Sequence, residues 1–139
     1  MMERYRTFDH TADLGLEIYG RDEEDLFSNA AFALFDTMTD IESIAFGEKR
    51  TVRAEGSDRE DLLVNFMREL LSLFNIEGFL VRRFAVYELD EHSLSGEAEG
   101  EIFDSEKHGI NTEIKAVTYH QVRIAPTSDG LTGRVICDV

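Results

Sequence analysis

The chain has 139 residues, of which 42% are hydrophobic and 10 are Phe. That is enough for one domain with a real core and too apolar for a disordered chain. It carries 29 Asp and Glu against 14 Lys and Arg, a formal net charge of −15, which excludes tight unaided nucleic-acid binding, because phosphate contacts need Lys or Arg in place of counterions.

In chain order, Arg4 to His10 reads as a short strand. Leu14, Leu16 and Ile18 alternate with Gly15, Glu17 and Tyr19, a half-buried strand ending at Gly20, with Asp13 on the polar parity. A helix follows. Asp22 caps it, Glu23, Glu24 and Asp25 favour its positive end, and Phe27, Ala30, Ala31, Leu34, Phe35 and Met38 form an apolar stripe. Lys49 to Glu55 reads as a strand carrying Val52 and Ala54. Ser57-Asp58-Arg59-Glu60 has the pattern of a capping box and opens a second helix with the stripe Leu63, Phe66, Met67, Leu70, Leu71 and Phe74. Leu80 to Leu89 is expected as a strand with Phe84, Val86 and Tyr87 near the core. It pairs through Asp90-Glu91-His92 with Leu94 to Phe103, where Gly96 and Gly100 weaken the strand pattern. Asp104 to Gly109 is a polar loop. A long strand from about Ile114 to Ile124 then turns at Ser128-Asp129-Gly130 into a last strand, Leu131 to Asp138. Strands grouped around two helices, without βαβ alternation, predict an α+β fold with a mostly antiparallel sheet packed on two amphipathic helices, as a single domain over residues 1–139.

The residues with chemical promise lie at the two ends of the chain. His10 and Asp13 flank a strand–loop junction, and Asp138 sits beside the terminal carboxylate of Val139. If the fold brings the ends together, carboxylate oxygens gather at one point, which costs energy unless a cation neutralises them. The residues alone equally allow a turn acid and a solvated tail. All-oxygen ligation would favour Ca²⁺ or Mg²⁺ over softer ions. Asp36 and Asp40 flank the end of the first helix, where acids oppose its dipole. In Lys115-Ala116-Val117-Thr118-Tyr119-His120, Lys115 and Tyr119 share a strand parity and His120 points the other way. One cysteine, Cys137, allows neither an internal disulfide nor a cysteine zinc site, and a buried strand thiol is its simplest role. Phosphate-loop, dinucleotide and Gly-x-Ser-x-Gly signatures are absent. No apolar run approaches the ~20 residues of a membrane span, and Met1 to Arg6 lacks a secretory apolar core. The cytoplasm is the expected location.

Taken together, His10-Thr11-Ala12-Asp13-Leu14-Gly15, Phe27-Ser28-Asn29-Ala30-Ala31, Phe35-Asp36-Thr37-Met38, Lys115 to His120 and the ending Asp138-Val139 resemble the archease family over nearly the whole chain. The resemblance implies a protein cofactor, not an enzyme in its own right. Its partner would be the GTP-dependent RtcB-type RNA ligase of tRNA splicing and RNA repair, whose active-site histidine it helps to guanylylate so that the ligase turns over repeatedly. It also implies a divalent metal (Ca²⁺, or Mg²⁺ or Mn²⁺) held by Asp13, Asp138 and the main-chain oxygen of Val139. Lys115 matches a functional family lysine, while His10 and His120 lie in matching motifs without an assigned role. Oligomeric state is not readable. Two other readings of the residues stand beside it. One is a metal-dependent hydrolase using His10, Asp13 and Asp138 around Mg²⁺. The other is a chaperone-like adaptor that binds proteins through its acidic face.

Overall fold

The same ten-residue pattern opens both helices. Gly20-Arg21-Asp22-Glu23-Glu24-Asp25-Leu26 and Gly56-Ser57-Asp58-Arg59-Glu60-Asp61-Leu62 are each followed three residues later by an asparagine, Asn29 and Asn65. The computed structural model describes residues 3–139 and shows identical local chemistry at both. Asp22 accepts from the Asp25 amide at 2.9 Å, and Asp58 from the Asp61 amide at 2.8 Å. Asp25 and Asp61 in turn accept from the amides of Arg21 and Ser57. Asn29 and Asn65 reach back to donate to carbonyls at the ends of the preceding strands, Tyr19 O at 2.6 Å and Glu55 O at 2.7 Å. Both glycines are needed for close approach, since a Cβ at either would lie 2.4 Å from the backbone nitrogen of Leu26 or Leu62. The expected capping box is therefore corrected by one residue. Asp58, not Ser57, caps the second helix, and Asp61, not Glu60, closes the box.

The elements are β1 (Tyr5–His10), β2 (Asp13–Gly20), α1 (Glu23–Met38), a 3₁₀ turn (Ile41–Ser43), β3 (Glu48–Glu55), α2 (Arg59–Glu77), β4 (Phe79–Leu89), β5 (Ser93–Ile102), β6 (Ala116–Thr127) and β7 (Gly130–Asp138). All strand pairs are antiparallel, as expected for an α+β chain. They form two sheets, in the orders β1-β2-β7-β6 and β3-β5-β4. The helices lie between them, with α1 against β2 and β4, and α2 against β6 and β3. This explains why α1 buries more than one stripe. Leu26 and Ala33 are buried as well as the expected residues. Edge-to-face aromatic contacts tie the layers together, Phe27 to Phe66 at 5.6 Å and Phe66 to Phe84 at 4.8 Å. One buried cluster runs through both sheets. Among the described residues no helix is long and apolar enough to cross a membrane.

Two irregularities in β4 correct the sequence reading. Its ladder shifts between Val81 and Arg83 and again between Val86 and Glu88. Tyr87 falls in the second bulge and turns to solvent, 63% exposed, instead of joining the core. Arg82 falls in the first, where its guanidinium donates to the carbonyls of Ile41, Glu42 and Ile44. The acids flanking the end of α1 are absorbed locally. Asp36 accepts from the Tyr5 hydroxyl at 2.7 Å, and Asp40 caps the 3₁₀ turn.

The connection between β5 and β6 has no regular structure and is held by a buried histidine. His108 Nδ1 accepts from the Asp104 amide at 2.9 Å, so the ring proton sits on Nε2, which donates to Glu101 at 2.9 Å. Glu101 also accepts from Lys107 and from the Ala45 amide. The lysine bond chiefly, with those from Ala45 and His108, holds its carboxyl well below the usual range, at about 2.

Two predictions follow from these contacts. Asp22→Ala and Asp58→Ala should each cost about 1 kcal/mol in denaturant unfolding, with equal effects because the two caps are equivalent. Glu101, with its depressed folded pKa, stabilises the fold fully above the ordinary carboxylate pKa and loses that contribution as pH falls from about 4.5 to about 2. In unfolding measured against pH, Glu101→Gln should flatten the curve across that window.

Candidate functional site: the acidic end of the four-stranded sheet

The β2–β7 ladder brings the chain ends together. Its register pairs Leu14 with Cys137, Leu16 with Val135 and Ile18 with Gly133. Leu16, Ile18, Val135 and Cys137 are buried on the helix side. Neighbouring residues on a strand face opposite ways, so Asp13 and Asp138 stand next to each other on the outer face. Across β1 and β2, His10 pairs with Asp13. Across β6 and β7, Ala116 pairs with Asp138, and the Lys115 amide donates to the Asp138 carbonyl at 2.8 Å. One row thus crosses the end of the sheet: His10, Asp13, Asp138, then the start of β6 behind Lys115.

The turn at this end is unusual. Thr11 and Ala12 form the two-residue loop between β1 and β2, and both have positive φ, 41° and 68°. Asn-Gly normally fills such a turn; a β-branched Thr and an Ala hold it here at a cost of order 1–3 kcal/mol each. Below the turn, Phe8 lies flat over Gly15, where a Cβ would come within 2.2 Å of the ring, and Arg134 stacks on Phe8 at 4.1 Å. Ile136 beneath is 1% exposed.

β6 supplies the remaining wall. Thr118 pairs with Ile136 and Arg123 with Arg134, so residues 119–122 stand opposite Val135 alone. Gln121 has φ 54° in this bulge. Tyr119 turns to the helix side, where its hydroxyl meets Asn65 and Arg68 stacks on its ring at 4.1 Å. His120 goes to the outer face, its ring edge-to-face with His10 at 5.5 Å. The expected opposition of Tyr119 and His120 therefore holds.

His10, Asp13, Asp138, the Val139 terminus and His120 are brought to one end of the sheet. Lys115 joins them through its backbone, while its side chain lines a neighbouring groove between the helix ends. His10 Nδ1 is buried without a hydrogen-bond partner among the described residues; at 3.9 Å, Asp13 Oδ2 is too far for one. Among the described residues, Asp138 has no ion-pair partner, and Asp13 has only that long contact. Among the described residues, no three His, Cys, Asp or Glu side chains converge as a metal centre there. The third donor implied by the resemblance, main-chain oxygen at Val139, is not a side chain. Two poorly compensated carboxylates beside the main-chain oxygen of Val139 fit a hard divalent cation in donor type.

Cys137 lies just inside this end. Burial chiefly, then the charges of Asp138 and Asp13, push its thiol up to about 12. It is no nucleophile. Sequence reasoning missed the strained Thr11-Ala12 turn, the Phe8 lid over Gly15 and the His108 clamp. No periodicity marks any of the three: the turn and the Phe8 contact depend on strand pairing, and the clamp on hydrogen bonds of the His108 ring with Asp104 and Glu101.

The whole-chain comparisons match this architecture. Residues 5–139 match the model of the Archease protein family (MTH1598/TM1083). The chain belongs to the archease family. The archease of Methanosarcina barkeri is 38% identical over 141 residues, covering 99% of this chain and 97% of that protein. The archease of Pyrococcus abyssi is 42% identical over 132 residues, covering 93% of each. The solution structure of Methanobacterium thermoautotrophicum protein 1598 superposes with a TM-score of 0.84 at 37% identity, covering 99% of this chain and 100% of that one. A crystal structure from Thermotoga maritima, described as an archease and possible chaperone, shares the fold at TM-score 0.61 and 23% identity, with both chains fully covered.

As expected for a buried thiol, Cys137 of this archease should resist alkylation by iodoacetamide at neutral pH in the native state and react promptly in denaturant, followed by mass spectrometry.

Proposed function

We propose that this archease is a cytoplasmic protein cofactor of the GTP-dependent RtcB-type RNA ligase, promoting guanylylation of the ligase's active-site histidine and repeated turnover in tRNA splicing and RNA repair. Its role is to present the acidic end of the four-stranded sheet to the ligase. The observation that carries the reading is the whole-chain family match combined with the placement of Asp13 and Asp138 side by side at that end.

Charge supports the direction of the interaction. A body of net charge −15 is repelled by RNA and attracted to a basic channel that binds RNA. Asp13, Asp138 and the main-chain oxygen of Val139 would hold a divalent ion, Ca²⁺, Mg²⁺ or Mn²⁺, which when bound supplies charge neutralisation beside the reacting phosphates. The rings of His10 and His120 meet edge to face beside Asp13. Lys115, tied by its backbone to Asp138, lines the adjoining groove and is free to meet an anionic group of the ligase or its nucleotide.

The hydrolase reading differs in its prediction: the purified protein with Mg²⁺ would by itself turn over a generic phosphate ester. The adaptor reading differs in its prediction: losses from charge substitutions would be small and additive in net charge.

The test is ligase guanylylation under multiple turnover with GTP, Mn²⁺ and catalytic amounts of this protein. Asp13→Asn should abolish the stimulation while leaving the unfolding free energy within about 1 kcal/mol of the parent, since the residue is partly exposed. Full stimulation by Asp13→Asn would overturn the proposal.

A further inference from the structure

Beside the acidic end, the carboxyl-terminal ends of α1 and α2 and the irregular connection before β6 enclose an open groove of about 520 Å³. Met38, Phe74, Ile110 and Ile114 make it largely apolar, and Asn75, Glu113 and Lys115 supply its polar groups. Ile110 is 42% exposed although its neighbours are pinned. Thr39 Oγ1 donates to the Gly109 carbonyl, and the Asn111 amide donates to Met38 O at 2.8 Å. The His108 clamp holds the same connection from its other end. The exposure of Ile110 therefore belongs to a fixed loop and is not slack. Fixed, exposed apolar side chains around a concave apolar floor are the usual anchors of protein interfaces.

Lys115 narrows what this groove can receive. Among the described residues, no carboxylate lies within 4 Å of its ammonium, in a chain with two acids for every base. A second copy of the chain is a poor occupant, because it would bring −15 against −15. We propose that the groove docks one bulky apolar side chain of the ligase, on a segment whose adjacent carboxylate meets Lys115. The proposal rests on the function given above and separates two tasks. The groove holds the partner, and the acids one hydrogen bond away, through Lys115 N and Asp138 O at 2.8 Å, act on it.

The experiment measures ligase affinity by calorimetry and the guanylylation rate as a function of archease concentration. Ile110→Asp should weaken binding about tenfold or more, shifting the half-saturating concentration by the same factor while leaving the saturated rate unchanged. Ile110→Ser should act in the same direction with a smaller shift and covers the case in which the charged variant fails to fold. Ile76→Asp, at a residue 81% exposed near the end of α2 and outside the groove, should bind as the parent does. An Ile110→Ser or Ile110→Asp titration that superposes on the parent's would overturn the dock while leaving the proposed function standing, as would an equal loss from Ile76→Asp. A parent chain that neither binds nor stimulates a cognate ligase would overturn the function, and the dock with it.

Discussion

The pairing of β2 with β7 is the constraint on which the rest depends. These strands come from opposite ends of the chain and meet in the middle of the four-stranded sheet. Their register is set by Leu16, Ile18, Val135 and Cys137, all buried against the helices. Each such side chain contributes roughly 1.5–3 kcal/mol on burial. A slip of one residue would turn all of these outward and drive Asp13 into the core. The closeness of Asp13 and Asp138 is thus a consequence of core packing, and their own mutual repulsion works against it.

Around this ladder, the departures from regular backbone sit where contact with another molecule is possible. The positive-φ turn at Thr11-Ala12, the four-residue bulge of β6 and the connection before Lys115 all border the acidic end or the groove beside it. Each is held by contacts from elsewhere. The bulge is braced through Tyr119 against Asn65 and Arg68 of α2. The connection is clamped by His108 and Glu101. Strain and irregular backbone persist when the surroundings over-determine them, and the rigid three-layer body provides those surroundings. The repeated capping pattern at the start of α1 and α2 contributes from the opposite direction, by fixing the strand-to-helix angle twice with the same few atoms.

This arrangement suits a protein that acts on another. Its one thiol is buried, and its acids sit at an exposed sheet end. The apolar groove lies next to those acids and carries a lysine that forms no ion pair among the described residues. A surface that combines charge, an apolar anchor point and a fixed backbone can orient a partner before any chemistry takes place, and preorganised contacts of this kind reduce the ordering cost of binding.

The sequence by itself determined the elements and the chemistry of their surfaces. Apolar spacing placed both helices and located the strands, apart from their exact ends. Asp22 marked the start of the first helix and Ser57-Asp58-Arg59-Glu60 that of the second, although that box was offset by one residue. Motif resemblance named His10, Asp13, Lys115, His120, Asp138 and Val139 before any of them had neighbours. These signals are local, since a stripe or a cap is decided within a few residues. Only the tertiary structure decided that the strands divide into two sheets with the helices between them, that Tyr87 and Arg82 fall in bulges, that His120 stacks on His10, and that a groove opens beside Lys115. Those outcomes turn on which strands pair, in which register and with how many extra residues. That choice is made by burial summed over the whole core, which no short window of sequence contains.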